Sequence, residues 1–236
     1  MPTINDRALV AADPATSPDR LRELASDASP KIRRAVSWNP STPTEVLGVL
    51  VQDAKWGVRF AVAENPTPGA VEIAVGAADP DVRGRASQRG DLDAPTTQRL
   101  VRDPVYTVRV RMSEVTSDPD VVAALARDPH PAVRSSVVLN PALSDADLEM
   151  LSGDSIARVR ATAAGCRRLR PELLTPMATD RSALVRWSLL VDNPHRLDLA
   201  RRLADDPDEE IADRARTQLA NPRLYTAFLG DVDLVT

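Results

Sequence analysis

The sequence predicts an all-α fold, a solenoid of about eight two-helix repeats, and three observations predict it. The first is a signature, D-x-x-x-x-[VI]-R, that returns at a nearly fixed period. Its arginines, Arg33, Arg59, Arg83, Arg109, Arg134, Arg160 and Arg186, are spaced by 26, 24, 26, 25, 26 and 26 residues. Its acids are Asp27, Asp53, Asp79, Asp103, Asp128, Asp154, Asp180 and Asp206. Self-similarity at this period is the mark of a stacked array. The second observation is helical spacing of apolar residues within each unit, and the third is a recurring Asn-Pro stop at its end.

The first segment of each unit opens on a turn and often a proline, as at Ser17-Pro18, Thr42-Pro43, Thr67-Pro68 and Asp118-Pro119. Proline suits the first helical position, where its missing N–H would be unpaired anyway. Thr42 with Glu45, and Ser144 with Asp147, have capping-box spacing. Apolar residues then stand six and three positions before the Asp: Leu21/Leu24, Leu47/Leu50, Val122/Leu125, Leu148/Leu151 and Leu174/Met177, with Ile73/Gly76, Thr97/Leu100 and Ala200/Leu203 as weaker copies. That spacing puts each pair on one helical face.

The second segment carries Val or Ile before the Arg slot: Ile32, Val58, Val82, Val108, Val133, Val159, Val185 and Ile211. Four residues on come Val36, Val62, Ala86, Met112, Val137, Ala163, Leu189 and Ala215, which completes a buried i, i+4 stripe. Asn39-Pro40, Asn65-Pro66, Asn140-Pro141, Asn193-Pro194 and Asn221-Pro222 end the helix, since Asn favours the turn and Pro stops continuation. No unit folds alone. Four buried side chains contribute roughly 6–12 kcal/mol, whereas ordering a unit's backbone costs on the order of 25–50 kcal/mol. Stacking must supply the rest.

Units three and four are irregular. Asp79 precedes Arg83 by four residues instead of six, and Gly90-Asp91 and Thr116-Ser117 replace Asn-Pro, so a change of superhelical geometry is expected near residues 79–118. Residues 1–13 read as an N-terminal cap, 14–222 as the solenoid, and 223–236, with Leu224, Tyr225, Phe228 and Leu229, as a C-terminal cap. The last unit has Ala212 in the Arg slot.

Composition narrows the function classes. Hydrophobic residues are 43% and aromatics 3%, with net charge −4 and pI about 5.3. Such a chain does not attract phosphate globally. Cys166 is the only cysteine, which excludes an intramolecular disulfide and a site built on several thiolates. No apolar run is long enough for a bilayer span or a signal peptide, so a cytoplasmic protein is expected. Heavy use of Ala, Arg, Asp, Val and Pro fits a GC-rich bacterial genome.

The string L-x-x-L-x-x-D-x-x-x-x-V-R-x-x-[VA]-x-x-N-P resembles the leucine-rich repeat variant family, a relative of HEAT-like repeats. The clearest copies are LGVLVQDAKWGVRFAVAENP (47–66) and VAALARDPHPAVRSSVVLNP (122–141). The resemblance implies alternating α- and 3₁₀-helices in a right-handed superhelix. Some members carry an N-terminal cysteine-rich segment with an iron–sulfur cluster, and this chain has no such segment, so no cofactor is expected. Fold hosts function loosely, so activity must be argued from sites.

The Asp/Arg ladder (Asp27, Asp53, Asp128, Asp154 and Asp180; Arg33, Arg59, Arg109, Arg134, Arg160 and Arg186) has two readings: a row of guanidinium groups for phosphate or acidic peptide, or an internal network tying repeats together. The matched spacing favours the network. His130 and His195 have no metal-ligand spacing and read as exposed loop residues, while Cys166, in an Asn slot, reads as a structural thiol despite Arg167 and Arg168 beside it. No P-loop, dinucleotide glycine pattern or G-x-S-x-G is present, and no enzyme is expected. The informative positions are those one and five after each ladder Arg, on the helix that lines the concave face in HEAT-like solenoids. Trp38, Phe60, Val110, Leu139 and Trp187 there are candidate anchors for a protein or peptide partner, with Glu64 and Glu114 at the polar margin. Against this, Trp38 and Trp187 could simply cover the turns between repeats. The competing reading is a nucleic-acid binder or alkylated-DNA glycosylase of the HEAT-like kind, using Trp38, Trp56, Trp187 and the arginines. The acidic pI and the short repeat count against it. The expectation is therefore a non-catalytic, monomeric scaffold with no membrane role.

Overall fold

The computed structural model describes residues 2–222, and the C-terminal cap expected at 223–236 lies outside them. Among the described residues there are seventeen helices and no strand. They divide into two compact units, Met1–Val115 and Thr116–Thr236, whose boundary falls inside the irregular stretch 79–118.

In the first unit, α1 (Ile4–Ala12) precedes four pairs: α2 (Pro18–Leu24) and α3 (Pro30–Trp38), α4 (Thr44–Leu50) and α5 (Trp56–Ala63), α6 (Pro68–Val75) and α7 (Pro80–Ala86), α8 (Ala94–Val101) and α9 (Tyr106–Val115). The second unit holds four more: α10 (Pro119–Leu125) and α11 (Pro131–Val137), α12 (Asp145–Ser152) and α13 (Ala157–Ala164), α14 (Pro171–Met177) and α15 (Ala183–Asp192), α16 (Leu197–Leu203) and α17 (Glu209–Ala220). Both helices of each pair are α. The alternation with 3₁₀ that the family resemblance implied is absent from the described residues. The short first helices keep i→i−4 bonds from their first turn, as Leu21 to Ser17 at 3.0 Å and Leu47 to Pro43 at 3.1 Å. They tighten to i→i−3 only at the exit, as Asp27 to Leu24 at 3.1 Å.

Within each unit the second helices form one layer, α1 on α3, α5, α7 and α9, and α11 on α13, α15 and α17. In the first unit α4, α6 and α8 form the other. The core lies between the layers. All eight Val/Ile anchors and their i+4 partners are buried, from Ile32/Val36 to Ile211/Ala215.

Two readings of local detail change. Thr42 and Glu45 form no capping box. Pro43 is the N-cap of α4, and Thr42 Oγ1 instead donates to the Val36 carbonyl at 2.6 Å. Ser144 and Asp147 do pair reciprocally, and a complete box forms at Thr3/Asp6, ahead of α1. The second change concerns the short repeat. Gly76 is exposed, and α6 buries Ala70, Val71, Ala74 and Val75 instead of Ile73/Gly76. The cause is a displaced acid. Arg83 Nη1 takes the Ala77 carbonyl at 2.8 Å, the bond that Arg33 makes to Asp27 O. Ala77 therefore holds the usual Asp position, while Asp79 has slid into the N-cap slot of α7. The missing residues lie earlier, in the turn between Asn65 and Pro68.

Candidate functional site

Two sets of side chains hold the layers and decide which surface is left over. The first is the ladder. In the first unit Arg7, Arg33, Arg59 and Arg83 each reach the Asp of the following repeat, at 2.8, 2.6, 2.7 and 2.6 Å to Asp27, Asp53, Asp79 and Asp103. In the second, Arg134, Arg160 and Arg186 reach Asp154, Asp180 and Asp206 at 2.6, 2.7 and 2.6 Å. Each guanidinium also donates backward to a loop carbonyl, as Arg134 Nη1 to Asp128 O at 2.8 Å. Each carboxylate also accepts an N–H two residues on, as Asp128 from His130 at 2.8 Å. Arg109 Nη1 donates to Asp103 O at 2.6 Å. One Asp thus fixes its own turn and the preceding repeat together.

The electrostatics follow. In Asp53 and Asp206 the Arg hydrogen bond is the largest influence and holds the carboxyl below its usual range. In Asp103, Asp154 and Asp180 burial pushes up hardest, yet the Arg bond and the backbone N–H together prevail and the net shift is downward. Arg33, Arg83, Arg134, Arg160 and Arg186 are shifted up by the same bonds.

The second set is an asparagine ladder that periodicity alone did not reveal. Asn65 is fully buried. Its Nδ2 donates to Ser37 O at 2.8 Å and Asn39 O at 3.0 Å, and its Oδ1 accepts from Thr67 N at 2.8 Å. Asn39 does the same one repeat earlier, to Ala11 O and Asp13 O, both at 2.8 Å. Where the asparagine is missing, arginine substitutes. Arg89 Nη1 donates to Asn65 O at 2.5 Å, and Arg168 reaches the carbonyls of Pro141 and Leu143 beside Cys166. Cys166 Sγ stands 4.0 Å from Val138 O, a structural place for the thiol. His130, half-buried, caps α11 through Nδ1 rather than lying in an exposed loop. His195 is exposed at the surface, yet partial desolvation of its ring, with Arg196 and Arg167 nearby, holds its pKa down.

What these networks leave over is the outer surface of the second-helix layer. In the first unit Trp38, at the end of α3, is 60% exposed. It lines a cleft of about 670 Å³ with Lys31, Arg34, Pro40, Glu64 and Pro66. Phe60 is half-buried, with its ring stacked on Trp56 at 5.1 Å and the Arg85 guanidinium 5.3 Å above it. Arg85 also clasps Glu64 at 2.6 Å. Val110 is half-buried on α9, and Glu114 is exposed there. In the second unit Leu139, 74% exposed, lines a smaller cleft of about 330 Å³ with Arg158, Thr162, Leu184, Ser188 and Asp192. Trp187 is half-buried on α15.

The structure therefore brings Trp38 to Glu64, and Glu64 to Phe60 through Arg85. Val110 and Glu114 lie together on α9, and the lining of the Leu139 cleft includes none of the other six. Trp56, 60% exposed, was expected on the face only in the nucleic-acid reading, not among the partner anchors. Its signal was an aromatic in the first helical slot, which proline fills in α3, α7 and α11. Arg34 and Lys31 were missed as cleft cations.

Among the described residues no group of His, Cys, Asp and Glu is arranged to hold a metal ion, and no helix is long and apolar enough to cross a membrane.

Residues 5–66 match the family model described as the Leucine Rich Repeat Variant domain. Over that stretch the repeat is similar to the leucine-rich repeat variant. A solved structure described as a leucine-rich repeat variant with a novel repetitive protein structural motif is similar in fold, with a TM-score of 0.61 and 24% identity over 85% of this chain and 81% of that one. An engineered protein (17% identity, 94% of this chain and 98% of that one) and a set of computationally designed armadillo repeat proteins for modular peptide recognition (16%, 92% and 91%) superimpose at TM-scores of only 0.28 and 0.20, too low to bear on the reading. Among curated proteins none matches. The similarity extends to the repeated fold. It leaves the Trp38 and Leu139 clefts to be explained by this chain's own residues.

Proposed function

We propose that this chain is a non-catalytic scaffold that binds a protein or peptide partner across the outer surface of its second-helix layer. The observation that carries the reading is the exposure of Trp38, Trp56 and Leu139 on that layer, beside clefts that the Asp/Arg and Asn ladders do not fill. The fold needs none of these three side chains, and large exposed apolar residues beside concave surface mark interaction sites. The second helices also contact one another more than the first helices do, which supports reading their layer as the inner one of each unit. The ladder arginines are engaged with carboxylates and belong to the framework rather than to the partner surface.

The test is affinity capture from source cells, comparing wild type with Trp38→Ala and Leu139→Ala at matched circular dichroism and Tm. A protein retained by wild type and lost from either variant supports the scaffold. Capture unaffected by both would remove this face. One observation favours a second reading: Trp56, Phe60 and Arg85 interleave aromatic and cationic groups, as single-stranded nucleic-acid binders do. Co-purifying nucleic acid released steeply by salt would establish it.

A further inference from the structure

We infer that the Trp38 cleft of the first unit is a seat for an acidic linear peptide, taking an Asp or Glu side chain next to a large apolar one. The inference rests on the scaffold reading above and assigns the chemistry of its partner.

The charge balance of the cleft carries it. Arg7, Arg20, Arg22, Arg33 and Arg59 all reach carboxylates. Among the described residues Arg34 reaches no hydrogen-bond or ion-pair partner, although it is exposed at the cleft wall. Nothing crowds it there, because α5 presents Gly57, whose Cβ position would lie 3.9 Å from Arg34 Cδ. Lys31, the second cation of the wall, contacts only the neutral Asn5 side chain, at 2.9 Å. The cleft's one acid, Glu64, is already neutralised by Arg85 at 2.6 Å. Two cations thus face a cleft whose own anion is spent. The surroundings do not oppose an anion either. Lys+Arg and Asp+Glu are equal in number over residues 1–115, so the chain's net −4 belongs to the second unit.

The apolar half of the recognition comes from Trp38 and the exposed prolines Pro14, Pro40 and Pro66, one from each successive repeat end. Prolines have no backbone N–H. That wall therefore cannot hold a peptide by main-chain donors, and side chains must supply the selectivity. An indole with a guanidinium alongside suits an apolar residue followed by a carboxylate, which Arg can grip in bidentate fashion.

The experiment is selection of random 12-residue peptides, displayed with their C-termini fused so that only side-chain carboxylates are offered, against the full chain and against Arg34→Glu. Expected is enrichment of Asp or Glu beside Leu, Ile, Phe or Trp on the wild type. Synthetic copies should lose about tenfold in affinity or more to Trp38→Ala, a hot-spot-sized effect. Arg34→Glu should lose a similar amount and enrich basic peptides instead. Enriched peptides that lack acids, or whose affinity Arg34→Glu leaves unchanged, overturn the inference. So does a library in which only free C-termini are selected. If no peptide is enriched while a captured protein is lost on Leu139→Ala, the acidic-peptide seat fails and the scaffold stands. If a 20-nucleotide oligothymidylate binds with steep salt dependence and is lost in Arg34→Glu, both fail.

Discussion

The Arg83–Asp103 rung offers the sharpest test of how the repeats are joined. Arg83 donates Nε and Nη2 to the two Asp103 oxygens at 2.6 and 2.9 Å, and Nη1 to Ala77 O and Ala78 O at 2.8 and 3.0 Å. Asp103 also accepts from Val105 N at 2.9 Å. The two side chains are only 12% and 6% exposed. Arg83→Ala strips the fork and leaves a shielded carboxylate with a single backbone donor, so the loss should be about 3–5 kcal/mol. Asp103→Ala strands the guanidinium and removes the turn bond, with a similar loss. The double variant should not cost the sum. Its coupling should be about 2 kcal/mol, because each single change already abolishes the shared contact. Arg83→Lys, which keeps charge without the fork, should recover less than half. The assay is urea unfolding by circular dichroism, with hydrogen exchange over peptides covering residues 77–109 to localise the change. At ~2 kcal/mol/M, a 4 kcal/mol loss moves the midpoint by roughly 2 M. A coupling under about 0.5 kcal/mol would place the rung with exposed surface pairs and refute the account of the ladder as the inter-repeat joint.

Three further predictions follow from the same geometry. Asp53, Asp103, Asp154, Asp180 and Asp206 have folded pKa values below their unfolded ones, so their stabilisation is complete above about pH 4 and disappears as pH falls through the folded values; a helical signal that survives titration to pH 2 at unchanged urea midpoint would contradict this. Asn65→Ala removes two donors and an acceptor from a fully buried site and should cost about 2–4 kcal/mol, whereas Asn221→Ala, exposed at the last repeat, should cost far less; equal midpoint shifts would sink the asparagine ladder. Asp192 runs the other way. It is exposed as a residue, but partial desolvation of its carboxyl beside Gly165 raises its pKa, so its ionisation opposes folding weakly as pH rises through the unfolded value, and Asp192→Asn should raise Tm slightly at pH 7 yet leave it unchanged near pH 3.

How much of this was legible in the sequence depends on whether a residue's role is periodic. The Val/Ile anchors and their i+4 partners could be read directly, because each repeat buries the same two positions, Ile32 and Val36 as much as Val185 and Leu189. Arg7 was equally periodic, 26 residues before Arg33, but went unseen because Asp6 stands where the anchor should be. The buried pair of the third unit was misplaced because it was counted back from Asp79, and an acid displaced by two residues carries the count with it. The asparagines were assigned to turns, which their Oδ1 atoms do stabilise. Their Nδ2 bonds reach carbonyls 26–28 residues earlier, a pairing that local turn chemistry does not express.

The candidate site was less legible than the frame for a related reason. A partner surface consists of the departures from the repeat, and periodicity says where departures occur but not how they are filled. Phe60 and Trp38 occupy neighbouring variable slots, yet Phe60 is covered by Trp56 and Arg85 while Trp38 stands open. The difference lies in Arg85, a neighbour two elements away in sequence. The same logic explains why the frame can tolerate such variation. Each rung fixes a turn and joins two repeats through Asp and Arg alone, so the outward slots of the second helices carry no rung of the Asp/Arg ladder, although Glu64 is held by Arg85. Crowding differs from slot to slot: an added Cβ at Gly84 or Gly165 would meet Arg111 or Asp192, whereas Arg34 faces the open side of Gly57. This makes a discriminating expectation for the slot of Arg34: Arg34→Ala should leave the urea midpoint within about 0.5 kcal/mol of wild type, in contrast to its neighbour Arg33→Ala, which loses the 2.6 Å bond to Asp53. Two adjacent arginines with equal effects on stability would mean that frame and face are not separable in this repeat.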